Sequence, residues 1–423
     1  MMRENSTRAA GGDPGWLQRL IEIEARALDH PTAAPAVDSA PAIQRVAIFS
    51  EAFLPKVDGV TRTALLTLEH LRRTGREVLI FAPAPAPSQV DGIPVIQVPS
   101  LWLPDYPDTR VPLLWPRIWG VLSRFRPDLI HLFSPLCLGA TGMIAGGALG
   151  VPVIANYMTD LPAYAERYGF GGVQRAFIGA LRWLHNGCTL TLAPTRWTQT
   201  EIAGWGFRRL RVWGRGVDST RFNPLRRSPE WRQRLLAGRD PQSLIALYVG
   251  RMAKEKDIQD LERIARLPGV ALTLVGDGSH RRQMESFLNR DGRSACFLGE
   301  MLGDDLVQAY AAADVFVFPG ARETFGQVVL EAMASGLPVI VANRGGPAAL
   351  VVEGEPGFIC TVGDPQSYAA RVQRLQDDPT LRTRIGQNAR QFALVRPWSA
   401  VMQELEQHYQ AAARLYGRFK RQQ

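Results

Sequence analysis

Two glutamates, Glu323 and Glu331, stand with seven residues between them in the run Pro319-Gly-Ala-Arg-Glu-Thr-Phe-Gly-Gln-Val-Val-Leu-Glu331. Val328, Val329, Ala332 and Met333 recur at helical spacing and mark the face that covers a sheet, leaving both glutamates outside that stripe. The helix is therefore expected from near Phe325, with Glu323-Thr-Phe-Gly326 at its mouth. The first N–H groups of a helix lack partners within it and its dipole favours an anion, so a phosphate fits there. Equally, Glu323 alone could be an acid stabilising its own helix start. In Gly250-Arg-Met-Ala-Lys-Glu-Lys256 the glycine lets the backbone turn, and Arg251 and Lys256 can bring two cations to one diphosphate. A solvated loop has the same composition. Gly276-Asp277-Gly278 either admits a flat base close to the backbone or simply joins a strand to a helix. In the first half of the chain, Gly59 would let a diphosphate approach from the opposite wall.

These residues need a scaffold, and the chain supplies an alternation of short apolar strands with helical patterns. Strands are expected over 46–49, 77–81, 94–98, 129–131, 151–155 and 190–193, with a helix over 61–74. The pattern restarts at 244–249 and continues through 271–275, 315–318 and 339–341. Alternation of this kind gives parallel sheets covered by helices, here in two Rossmann-like halves whose ligand loops follow the strand C-termini. The expected division is an N-terminal arm over 1–40 with an amphipathic helix at 16–28, a first domain over 41–213, a second over 214–395, and a closing helix over 396–423. The segment 207–239 carries ten arginines and two acids, and the turn Gly214-Arg-Gly-Val-Asp218 is placed at the crossing between halves. Arg215 and Asp218 either make contact across the cleft or belong to an ordinary solvated turn.

At 423 residues the chain exceeds what one core usually serves. Four scattered cysteines, each beside an apolar run and without paired spacing, are expected as buried thiols of a reducing compartment. No apolar run is long enough to span a bilayer and the start lacks a signal-peptide core, which predicts a cytoplasmic protein. A net charge of +9 and pI near 9.7 call for an acidic partner: substrate phosphate, an anionic membrane face or nucleic acid. Only four basic residues are lysine, and three of them (Lys56, Lys254, Lys256) lie in candidate ligand loops, where a compact charge suits phosphate. With no D-x-D at a strand end and no His, Cys and carboxylate cluster at ligand spacing, no metal site or other cofactor is expected. Charge on a leaving diphosphate would then be met by Arg251, Lys256 and helix-terminal amides.

The E-x7-E run, followed by Ala334-Ser-Gly-Leu-Pro-Val339, resembles the signature of the family 4 retaining glycosyltransferases, and Gly250–Lys256 is similar to their G-R-x4-K motif. The resemblance covers roughly residues 45–410. It implies an α/β GT-B fold of two Rossmann-like domains facing across a cleft, with the last helix crossing back over the first domain. It implies a retaining hexosyltransferase without an enzyme nucleophile, in which a donor phosphate oxygen takes the acceptor's proton. Glu323 would contact sugar hydroxyls, Glu331 the ribose, and the amides of Thr324, Phe325, Gly326 and Gln327, with Val328 beside them, the diphosphate. Arg251, Lys256 and Glu323 become the catalytic set. Gly59, Gly250, Gly276, Asp277 and Gly278 complete the donor site, although relatives often have two glycines where this chain has Gly59-Val60. The runs Y-M-T-D-L-P, G-R-G-V-D-S and E-T-F-G-Q-V-V-L-E look most like GDP-mannose-dependent α-mannosyltransferases acting on glycolipids and like sulfoquinovosyl transferases.

On the acceptor side, Tyr157 and Asp160 leave the fifth strand and are expected to face the cleft. Asp160 binds a hydroxyl or caps the next turn. Relatives often carry a second histidine where this chain has Phe133, which favours His131 as a satisfied core residue. Residues 112–126 put Trp115, Ile118, Leu122 and Phe125 on one helical face and Arg117 and Arg124 on another, as an interfacial helix on anionic lipid or a core-packed helix would. The expected partners are therefore a nucleotide sugar, a lipid or glycolipid acceptor and an anionic membrane surface, with the protein peripheral at its inner face. A non-catalytic sugar-nucleotide binder would also keep Arg251 and Lys256. A nucleic-acid binder would explain the charge, but no basic helix with stacking aromatics of the usual modules is present.

Overall fold

A computed structural model of the protein describes residues 43–103, 106–113, 115–159, 171–290, 292 and 295–420. The expected arm over 1–40 and Asp160 lie outside the described residues. The first half builds β1 (Arg45–Ser50), β2 (Glu77–Pro83), β3 (Gln89–Val90), β4 (Ile93–Val98), β5 (Ser100–Leu103), β6 (Tyr106–Pro112), β7 (Leu129–Phe133), β8 (Val153–Asn156), β9 (Leu190–Ala193) and β10 (Leu210–Val212). Its helices are α1 (Gly59–Arg73), α2 (Arg117–Phe125), α3 (Cys137–Leu149), α4 (Gly171–Gly187) and α5 (Arg196–Gly204). The second half builds β11 (Leu244–Val249), β12 (Val270–Val275), β13 (Ala295–Phe297), β14 (Val315–Phe318), β15 (Val339–Ala342) and β16 (Gly357–Cys360). Around them lie α6 (Pro229–Leu236), α7 (Arg281–Leu288), α8 (Gly303–Ala312), α9 (Gln327–Ala334), α10 (Pro365–Asp377), α11 (Pro379–Leu394) and α12 (Trp398–Lys420).

The first sheet runs β10-β9-β8-β7-β1-β2-β4-β3 and the second β13-β12-β11-β14-β15-β16. All neighbours within the second sheet are parallel, and in the first only β3 and β4 pair antiparallel. Strands enclosed on both faces need continuous apolar runs, and Val46, Ala47, Ile48 and Phe49 of β1 are each at most 1% exposed. Strand order reverses between β7 and β1 in one sheet and between β11 and β14 in the other, because chain-consecutive strands run outward in opposite directions from those pairs. Ligands of doubly wound sheets bind outside the carboxyl ends of such pairs. The loops after β1, β11 and β14 hold Gly59, Arg251, Lys256 and Glu323.

The last helix does return to the first domain. Trp398, Val401, Met402, Leu405, Tyr409 and Ala412 join the same core as Ile48, Leu65 and Leu68. Trp213 Nε1 donates to the Val401 carbonyl at 2.9 Å, and Lys420 Nζ donates to the Gly150 carbonyl beyond the end of α3. Gly216 has no room for a side chain, since a Cβ there would sit 2.7 Å from Trp398 N and Cα.

Several expectations change. Cys188 and Cys360 are buried, but Cys296, on β13 at the edge of the second sheet, is half-buried, and Cys137, the first residue of α3, is exposed, because an apolar run wraps both faces of that helix and only one packs inward. The arginine-rich segment is largely committed within the protein: Arg227 and Arg232 each hold Asp314 at 2.8 Å, and Arg209 donates to the Cys188 carbonyl. In α2, Ile118 and Leu122 are fully buried against the sheet. That face is core, and Trp119 alone of its aromatics stays exposed, at 38%.

Candidate active site

The loops after β11 and β12 are built on one another. Gly250 N donates to Val275 O at 3.0 Å, Met252 N to Asp277 O at 2.7 Å and His280 N to Met252 O at 2.9 Å. A Cβ on Gly276 would lie 2.0 Å from Gly250 O, and one on Gly278 would lie 2.3 Å from Met252 O, both with positive φ. The glycines of Gly276-Asp277-Gly278 are thus required by backbone meeting backbone, whatever else binds there. Asp277 accepts from Gly278 N and Arg281, and these bonds hold its carboxyl below the usual range. Arg251 is mostly exposed and pairs with Glu255 at 2.5 Å. Lys256 is buried and its ammonium is bonded to the carboxylate of Glu323. Two of the residues singled out by spacing therefore meet across 67 positions of chain.

The helix expected from Phe325 starts two residues later, at Gln327. Gly326 precedes it at φ 91°, a conformation that ends helical backbone and suits glycine, and Pro347 leaves no space for a Cβ. Glu331 lies outside the sheet-facing stripe yet is only 3% exposed, while Val328 is only partly buried. A second wall encloses the helix: Glu331 accepts from the Tyr310 hydroxyl at 3.2 Å and lies 3.8 Å from Arg62 of α1. Burial, with the Glu331 carboxylate beside it, pushes the Tyr310 phenol well above its ordinary pKa and keeps it a donor.

Thr324 stitches the domains together. Its Oγ1 donates to Met158 O at 2.8 Å, and its carbonyl accepts from Thr198 Oγ1 at 3.0 Å and Thr195 Oγ1 at 3.2 Å. Gln327 Nε2 donates to Gly216 O at 3.0 Å. Phe325 is buried in the second domain's core. Of the two crossing residues, Arg215 reaches the other side, donating to Gly59 O at 3.1 Å, whereas the Asp218 carboxylate accepts from Thr220 N and Arg221 N in its own turn.

In the first domain Asp58 caps α1, accepting from Val60 N at 3.0 Å and Thr61 N at 2.9 Å. A Cβ at Gly59 would meet nothing within 4 Å, so the glycine borders open space. Glu51, overlooked in the sequence, follows β1 and caps α3 from 85 residues away: its Oε1 accepts from Leu136 N at 2.7 Å and Gly139 N at 2.9 Å. Burial pushes its carboxyl up to about 7 in spite of those amides. No spacing rule links a strand exit to a helix start so remote; an acid directly after an apolar strand was the only signal. Tyr157 does not face the cleft. It is 3% exposed and packed with Phe207 and His185, because it continues β8 inward, Tyr157 N donating to Leu192 O. His131 is a core residue as expected, its Nδ1 hydrogen-bonded to the Tyr409 hydroxyl at 2.8 Å and burial lowering it to about 4.

Two family models match the halves that this geometry brings together. "Glycosyltransferase Family 4" matches residues 57–221 and "Glycosyl transferases group 1" matches 229–392. A GDP-mannose-dependent alpha-mannosyltransferase of Mycolicibacterium smegmatis is 41% identical over 374 residues, 87% of this chain and 97% of its own. The chain belongs to glycosyltransferase family 4. The sulfoquinovosyl transferase SQD2 of Arabidopsis thaliana is 33% identical to this glycosyltransferase over 424 residues, 97% of this chain and 82% of its own. The crystal structure of Anabaena Alr3699/HepE in complex with UDP superposes with a TM-score of 0.68 at 21% identity, covering 87% of this chain and 100% of that one. The GT-B fold and a hexosyltransferase activity follow for this family 4 enzyme. No helix among the described residues is long and apolar enough to cross a membrane.

Proposed function

We propose that this enzyme moves mannose from GDP-mannose to a lipid or glycolipid acceptor at the cytosolic face of a membrane, with retention and without a metal. The observation that carries the reading is the meeting of Lys256 with Glu323 in the loops that leave the β11–β14 switch point, in a chain related over 87% of its length to a GDP-mannose-dependent enzyme. In this mechanism Arg251, Lys256 and the amides after Glu323 take up charge on the departing diphosphate, as preorganised electrostatic stabilisation. Glu323 orients the sugar and leaves Lys256 for its hydroxyls once the diphosphate arrives. Glu331, fixed by Tyr310, receives the ribose. A donor phosphate oxygen accepts the acceptor's proton on the face where the sugar leaves. Acceptor access fits Leu101, Leu113 and Trp119, exposed within one segment beside Arg117 and Arg124, the mixture an anionic lipid surface attracts.

A second reading, transfer of sulfoquinovose or glucose from a UDP-sugar to diacylglycerol, is favoured by the likeness to SQD2 across 97% of the chain. A thermal-shift screen against UDP, GDP, ADP and their sugars separates the two, since binding to the native state raises the melting point by mass action. The first reading expects GDP and GDP-mannose to stabilise. Stabilisation by UDP species alone selects the second, and no shift with any of them removes both.

A further inference from the structure

Most cations of the cleft already have an acid. Arg251 has Glu255, Lys256 has Glu323 and Arg62 has Glu331. Arg215 differs. It is only 8% exposed, it makes one described hydrogen bond, to Gly59 O, and among the described residues no carboxylate is within ion-pairing distance. Asp58 and Glu323 attract it from farther off. A guanidinium carries five N–H donors, and a buried cation with one carbonyl for company is costly unless something else satisfies it. Burial lowers its pKa to about 10, against the pull of both acids. What would complete it is an anion with several acceptor oxygens, lying between Gly59 and Glu323. The space beside Gly59 is open, since a Cβ there meets nothing within 4 Å.

We propose that Arg215 is a third donor-binding cation, gripping the diphosphate of the nucleotide sugar from the crossing between the two domains. This rests on the donor reading above. When the bond from the sugar's anomeric carbon to the phosphate oxygen breaks, its electron pair stays on the diphosphate. The acceptor oxygen bonds to the anomeric carbon, and the acceptor's proton passes to a diphosphate oxygen. Arg215 meets the charge that develops with a planar pair of N–H groups, a geometry lysine cannot reproduce. Because the Gly59 carbonyl already holds one N–H, the guanidinium is oriented before the donor binds.

The test is calorimetric titration of the full chain and its Arg215→Gln and Arg215→Lys variants with GDP, UDP, GMP and UMP. The wild-type protein should prefer the diphosphate of one base to its monophosphate. Arg215→Gln should lose that preference, binding the diphosphate about tenfold more weakly while monophosphate affinity stays as in the wild type. Arg215→Lys should fall between the two. A merely structural tie to Gly59 would weaken both nucleotides alike, and that result overturns the proposal. So does wild-type affinity for the diphosphate in whichever variant folds. If the wild-type chain binds no nucleoside diphosphate at all, the donor reading itself fails, and the inference with it.

Discussion

Replacing Glu51 with glutamine should change how stability depends on pH, and the size of the change follows from the site. Glu51 Oε1 accepts from two amides at the start of α3, an arrangement that by itself favours the charged form. Burial outweighs them and moves the carboxyl from 4.5 up to about 7. The folded state therefore holds a proton that the unfolded chain has already released between those two values. Stability from this group is complete below about pH 4.5 and is lost as pH rises through about 7. At about 1.4 kcal/mol per pH unit, the whole displacement is worth about 3 kcal/mol. Glu51→Gln keeps an oxygen for Leu136 N and Gly139 N but cannot titrate. Urea unfolding followed by circular dichroism at pH about 5 and about 8 should show the wild-type protein losing up to about 3 kcal/mol relative to the variant over that interval. A wild-type-minus-variant difference that stays constant with pH would refute the claim that desolvation keeps Glu51 protonated at its helix cap.

Lys256→Ala and Glu323→Ala should each lower transfer by about a hundredfold or more, and Glu323→Ala should also lower the melting temperature because it leaves the buried Lys256 ammonium without its carboxylate; wild-type turnover in both, measured with labelled donor, would remove the proposed machinery. Gly276→Ala places a Cβ 2.0 Å from Gly250 O at φ 136°, so the protein should lose about 2 kcal/mol or more of stability; an unchanged thermal melt would mean the two loops can part freely. Trp119→Ser removes an exposed aromatic beside Arg117 and Arg124. It should reduce co-flotation with anionic vesicles and leave nucleotide binding intact, and equal flotation would separate α2 from membrane contact.

Much of the scaffold was legible because strands buried on both faces announce themselves locally. The expected strands over 190–193, 244–249 and 315–318 coincide with β9, β11 and β14 residue for residue. The strands overlooked were β3, β5, β6, β10, β13 and β16, several of them two to four residues long or at sheet edges. Such strands are specified by a neighbour's backbone rather than by their own periodicity.

The sequence alone determined that parallel strands alternate with helices and that their exits carry Gly59, Arg251, Lys256, Glu323 and Glu331, because apolar periodicity and motif spacing are properties of neighbouring residues. Only the tertiary structure decided which of these residues meet. It joined Lys256 to Glu323, enclosed Glu331 between Tyr310 and Arg62, and sent Arg215 across while Asp218 stayed in its turn. It also withdrew Tyr157 into a core and brought Glu51 to a helix start 85 residues away. A carboxylate's partner and burial depend on chains of packing contacts that join distant segments, and those distances are set by the whole fold rather than by local pattern.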